Sequence, residues 1–100
     1  MMLEIQKEMS GTHCDLFLSG RLDTNTAKQL EEVLNELMTN SSFTINFKKL
    51  DYISSAGLRI ILGFYKKCKA TSKELVLTEM NDLVKEVFDI SGFSGFLNIQ

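Results

Sequence analysis

Leu50-Asp51-Tyr52-Ile53-Ser54-Ser55-Ala56-Gly57-Leu58-Arg59 is the stretch on which the fold turns. An apolar strand ends in it and an amphipathic helix begins, with two adjacent serines at the junction. A serine in that place lies beside the unpaired N–H groups and the positive end of the helix dipole. It can be a plain N-cap that satisfies one or two of those donors, worth about 1 kcal/mol. It can also be a phosphoacceptor, because a helix N-terminus tolerates a doubly charged phosphate. N-cap serines are common, so the local sequence by itself favours the cap. Two neighbours resist a purely structural account. Gly57, in the first helical turn, costs up to about 1 kcal/mol relative to alanine. That cost makes sense where another backbone approaches closely, and equally where helix and sheet pack tightly. Arg59 is a cation near the helix end that prefers anions, and beside a small, flat Ser-Ala-Gly surface it reads as a contact residue for a partner.

Working outward, Phe43, Ile45 and Phe47 alternate with Thr44 and Asn46, the pattern of a strand, and the helix after the serines runs from about Ser55 to Lys69. Before that strand, Ala27, Leu30, Val33, Leu34, Leu37 and Met38 recur at helical spacing from about Thr26 to the stop at Asn40-Ser41-Ser42. Thr26 with Gln29 fits a capping box, with Asp23 or Thr24 as alternative caps. Further back, Gly20–Asn25 reads as a loop, and Leu3 and Ile5, the turn at Gly11 and Cys14-Asp15-Leu16-Phe17-Leu18 read as a hairpin. Downstream, Leu75-Val76-Leu77 is a short buried strand. Asn81 caps a third helix whose apolar face is Leu83, Val84, Val87 and Phe88, stopping at Gly92, and the tail Phe93–Ile99 is apolar enough to dock on the body.

The order β-β-α-β-α-β-α predicts an α/β fold: a mixed four-stranded sheet, its initial hairpin antiparallel and its helix-linked strands parallel, with helices packed against it. No proline, repeat or linker interrupts the chain, so residues 1–100 are expected to form a single domain. The loops Gly20–Asn25 and Lys48–Ser55 leave the C-terminal ends of parallel strands and share one edge of the sheet, with the link Thr78–Asn81 near them. In open α/β sheets that edge is where ligands and partners bind.

Composition excludes more than it identifies. Hydrophobic residues at 44% and charged residues at 24% suit a folded globular chain. A net charge of −2 with interspersed signs argues against a nucleic-acid binder. The one basic cluster, Lys66-Lys67-Cys68-Lys69, is a solvated helix C-terminus. No apolar run can span a bilayer, no secretory signal opens the chain, and Cys14 and Cys68 lack CxxC spacing, so a cytoplasmic protein with reduced thiols is expected. No catalytic constellation is present. His13 is the single histidine and reads as a solvent-facing or turn residue rather than a metal ligand. There is no GxSxG elbow, no GxxxxGK[ST] and no GxGxxG after a strand. Asp23, Asp51, Asp82 and Asp89 sit singly at element ends, where capping explains them. No enzyme activity, cofactor or metal is expected.

Three segments carry a resemblance. Ile53-Ser54-Ser55-Ala56-Gly57-Leu58-Arg59 resembles the signature of STAS domains, specifically the bacterial anti-sigma factor antagonists. Gly20-Arg21-Leu22-Asp23-Thr24-Asn25-Thr26-Ala27 resembles the family's first loop and helix start, and Asn81 to Phe93 its closing helix. The resemblance covers nearly the whole chain in order. It implies a STAS-like fold and a phosphorylation-controlled module in a partner-switching system of transcription regulation. The unphosphorylated antagonist would bind an anti-sigma factor that is also a serine kinase, freeing its sigma factor. The kinase would inactivate it by phosphorylating one serine, and a PP2C-type phosphatase would restore it. The matching position is Ser55, with Ser54 as the alternative acceptor, since several members carry Asp where Ser54 stands. The implied partner contacts are Asp23, Thr24, Asn25, Ser54, Ser55, Gly57, Leu58 and Arg59. The expected state is a monomer or weak dimer, without nucleic acid or membrane. The competing reading is a constitutive STAS accessory subunit of a bacterial lipid-transport ATPase. A small nucleotide-binding or hydrolytic enzyme is the third, and the missing phosphate-cradling loop counts against it.

Overall fold

The alternation on either side of Gly11 becomes a hairpin in the computed structural model, which describes residues 2–100: β1 (Leu3–Ser10) pairs antiparallel with β2 (His13–Leu22). Helix α1 (Ala27–Glu36) returns the chain to β3 (Ser42–Ile53), which lies parallel to β2. Helix α2 (Ser55–Ala70) leads to β4 (Glu74–Thr78), parallel to β3, and α3 (Asp82–Ile90) follows. The sheet order is β1-β2-β3-β4. The tail adds a single bridge to its far edge: Leu77 donates to the Asn98 carbonyl and Gln100 to that of Leu77.

One face of the sheet presents Leu16, Leu18, Phe43, Ile45, Phe47, Leu75 and Leu77 to the helices, all buried. The Phe43 ring meets Phe64 of α2 edge-on at 4.9 Å, and Phe47 meets Phe88 of α3 edge-on at 6.1 Å. Leu30 and Leu34 of α1 complete the same core. The alternate residues, including His13, Asp15, Thr44 and Asn46, lie on the uncovered face. There His13 is half-buried on a strand, held by Ser42 Oγ at 2.6 Å, Asp15 Oδ1 at 3.1 Å and Thr44 Oγ1 at 3.2 Å. The turn alternative for His13 is therefore corrected: it opens β2 on the uncovered face, where it joins a polar cluster between β2 and β3.

Two loop boundaries are also corrected. β2 continues through Gly20, Arg21 and Leu22, and β3 through Ile53, leaving Asp23–Thr26 and the single residue Ser54 as the connections. Register shifts after Phe17 and Gly20 let the two strands stay paired as far as Leu22 with Ile53. Gly20 makes this possible. Its φ is +98°, and a Cβ there would collide with the Met2 carbonyl oxygen. The capping box is not formed. The Thr26 hydroxyl donates to the Arg21 carbonyl at 2.8 Å, Gln29 reaches across to the Leu3 carbonyl at 3.0 Å, and Asp23 holds the turn instead.

Candidate functional site

The C-terminal ends of β2 and β3 deliver the first loop and the serines to one place. The Ser54 amide donates to the Leu22 carbonyl at 2.9 Å, so the residue before the first loop is bonded to the residue that caps α2. Asp23 organises that loop: its Oδ1 accepts from the amides of Asn25 at 3.0 Å and Thr26 at 3.2 Å, which leaves Thr24 and Asn25 exposed. Desolvation alone would raise the Asp23 carboxyl. The amides of Asn25 and Thr26, the Thr26 hydroxyl and the Arg21 side chain all bond its charged form and together hold it below the usual carboxylate range. From the third side, Asn81 Nδ2 donates to the Leu50 carbonyl at 3.0 Å while its Oδ1 caps α3 at the Val84 amide, which brings the β4–α3 link to the same edge.

The two serines do different things. Ser54 is the N-cap: its backbone is extended and its Oγ accepts from the Gly57 amide at 3.3 Å. Ser55 is the first helical residue, exposed, and its hydroxyl makes no hydrogen bond among the described residues. The cap that the local sequence favours is thus filled by Ser54 alone.

Gly57 is explained by packing. A Cβ on it would sit 2.5 Å from Leu22 Cγ and 2.9 Å from the Leu22 carbonyl oxygen. Gly57 and Leu58, expected as partner contacts, are both buried, Leu58 at 6% exposure in the core. In the unbound chain neither presents an exposed side chain at this edge. Arg59 is exposed and lines a groove between α1 and α2 with Glu31, Asn35 and Lys67. The remaining expected residues, Asp23, Thr24, Asn25, Ser54 and Ser55, are gathered at the sheet edge.

The sequence reading missed a pair at this edge. Arg21 stacks on the Tyr52 ring at 4.2 Å and its Nε lies 3.6 Å from Asp23 Oδ2. Only the bulged register places Arg21 opposite Tyr52, and nothing in the hydrophobic pattern announces that shift. Among the described residues no cluster of His, Cys, Asp and Glu could hold a metal ion, and no helix is long and apolar enough to cross a membrane.

Known proteins resemble this chain in sequence and in fold. The chain is 29% identical over 96 residues to the anti-sigma-B factor antagonist of Listeria monocytogenes, covering 94% of this chain and 84% of that protein. It is 26% identical over 101 residues to the anti-sigma-B factor antagonist of Staphylococcus aureus, covering 99% and 94%. Its fold matches that of the anti-sigma factor antagonist SpoIIAA in its unphosphorylated form, with a TM-score of 0.84 at 22% identity over 97% of this chain and 88% of that one. The phosphorylated form of the Bacillus SpoIIAA gives a TM-score of 0.77 at 21% identity over 97% and 91%. With the STAS domain model matching residues 4–100, the chain belongs to the STAS domain family, alongside relatives that are anti-sigma factor antagonists.

Proposed function

We infer that this protein is an anti-sigma factor antagonist switched by phosphorylation of Ser55. Unphosphorylated, it binds an anti-sigma factor serine kinase and releases that kinase's sigma factor or other target. Phosphorylation ends the binding, and a PP2C-type phosphatase restores it. The observation that carries this reading is the division of labour between the serines: Ser54 spends its hydroxyl on the cap and Ser55 leaves its own free at the helix start. Relatives named as anti-sigma factor antagonists support the antagonist role, and a phosphorylated form is known for SpoIIAA.

The physics of the site suits a binding switch. Phosphate on Ser55 adds about −1.5 to −2 charges to an exposed surface. The first amides of α2 have no intrahelical acceptor and favour an anion. Arg59, four residues on, lies one turn along the same side of the helix. The domain therefore keeps its fold when modified, while a partner that brings no cation of its own to Ser55 must desolvate a dianion and loses several kcal/mol, on the order of a truncated buried charge pair. A constitutive accessory subunit of a lipid-transport ATPase shares the fold but gives the free Ser55 hydroxyl no task.

The test combines phosphopeptide mass spectrometry on protein from its own cells with binding of the kinase to Ser55→Asp. Phosphate on Ser55, and a Ser55→Asp variant that loses the kinase at an unchanged melting temperature, are expected. A Ser55→Asp variant that binds as tightly as wild type would sink the switch. A Ser55 that stays unmodified across growth and stress conditions would favour the constitutive subunit.

A further inference from the structure

Helix α3 leaves apolar side chains uncovered on the side toward the end of β3. Leu83 and Ile90 are 68% and 78% exposed, and Tyr52 is 42% exposed. With the half-buried Val87, Leu83 and Ile90 form a stripe at i, i+4 and i+7 along the helix. A groove runs between this stripe and Asp51-Tyr52-Ile53, the three residues that lead directly into Ser54 and Ser55. The sequence places Leu83 on the apolar face of this helix with Val87, Val84 and Phe88. Only the latter two are buried, so the stripe is wider than the core requires.

The charge of the groove has one sign. Its two ionisable lining residues besides Tyr52 are Asp51 and Glu86, and no cation lines it among the described residues. The nearest cations do not line it: Lys48 and Lys49 of β3 border a separate pocket, Arg21 is stacked on the Tyr52 ring beside Asp23, and Lys85 lies 3.5 Å from Asp89. An apolar floor with an acidic rim, bounded by a helix and a strand end, fits an amphipathic helix that carries Lys or Arg beside its apolar stripe.

We propose that the α3–β3 groove is a second half of the partner interface, occupied by a basic amphipathic helix of the same anti-sigma factor kinase that acts on Ser55. The proposal rests on the switch reading above, because continuity through Tyr52 and Ile53 is what ties the groove to that partner. It gives the switch a docking surface that phosphate on Ser55 leaves chemically untouched. Affinity then has two contributions, one lost on modification and one retained.

The experiment measures binding of that kinase to Leu83→Lys, Ile90→Lys, Leu83→Glu, Glu86→Lys and Ser55→Asp by titration calorimetry, with melting temperature as the fold control. Each lysine variant is expected to weaken binding about tenfold or more at unchanged melting temperature. Leu83→Glu should cost less than Leu83→Lys, because the occupant is basic. Lysine variants that bind as wild type while Ser55→Asp does not would overturn the groove and leave the switch standing. Loss through the groove variants with Ser55→Asp binding normally would overturn the switch and keep the groove as a constitutive interface. A concentration-dependent dimer broken by Leu83→Lys, with kinase binding intact, would make a second copy the occupant and end the proposal.

Discussion

Two glycines six residues apart in α2 should respond to alanine with opposite signs. At Gly57 the added methyl would lie 2.5 Å from Leu22 Cγ, 3.0 Å from Leu22 Cδ2 and 2.9 Å from the Leu22 carbonyl oxygen. The leucine tip can rotate, but the carbonyl is backbone and already accepts from the Ser54 amide. The first turn of α2 must therefore lift, at the roughly 1–3 kcal/mol typical of overpacking, against at most about 1 kcal/mol gained in helix propensity. At Gly63 a Cβ meets nothing within 4 Å, so only the propensity gain remains, about 0.5–1 kcal/mol in favour of alanine. At about 4–8 °C per kcal/mol for a domain of this size, the two variants should melt on opposite sides of wild type. Urea titration followed by circular dichroism gives both free energies, with unchanged m-values as the check that the unfolded state is comparable. Gly57→Ala should in addition weaken the partner, because lifting the turn displaces Ser54 and Ser55 together. A Gly57→Ala protein as stable as Gly63→Ala would refute the claim that contact with β2 selects glycine there.

Ser54→Ala should cost about 1 kcal/mol of stability and leave phosphorylation possible, whereas Ser55→Ala should stay within about 0.5 kcal/mol of wild type and abolish it; denaturation curves with a kinase assay separate the two. Phe88→Ala should cost about 3–5 kcal/mol, since the ring is fully buried against Phe47. Leu83→Ala, five residues earlier on the same helix and 68% exposed, should cost under about 0.5 kcal/mol in the same melts. The Asp23 carboxyl is held low in the folded protein, so its contribution is complete above the ordinary carboxylate range and disappears as pH falls through the folded value. The Asn25 and Thr26 amides should lose exchange protection on acidification in wild type, and Asp23→Asn should remove that pH dependence.

Element order and type were legible because each helix shows its own stripe and the core strands alternate cleanly. Phe43, Ile45 and Phe47 in β3 and Leu16 and Leu18 in β2 face the helices as the pattern predicts. The ends of β2 and β3 were not legible for one reason. From Phe47 the buried residues of β3 come every third position, at Leu50 and Ile53, because register shifts interrupt the two-residue repeat. A strand read by alternation stops at the first such shift, and the residues beyond it look like loop. The Arg21–Tyr52 pair was lost with it. Gly57 shows the opposite limit. The sequence correctly marked it as a close approach, but only coordinates distinguish a partner's backbone from the Leu22 backbone of the same chain.

The position of Ser54 also bears on the family resemblance, in which several members carry Asp there. What the structure asks of this residue is an extended backbone and one side-chain oxygen that accepts from the Gly57 amide. Asp and Ser meet that requirement about equally well as N-caps, so the exchange leaves the helix start intact. It changes the electrostatics of the neighbouring residue instead. A carboxylate at the cap would stand beside a phosphate on Ser55 and repel it, while also competing for the amides that favour an anion. With serine as the cap, those amides and Arg59 act on a single anionic group. The departure therefore weakens neither assignment: it keeps the cap on Ser54 and eases the cost of a charged Ser55.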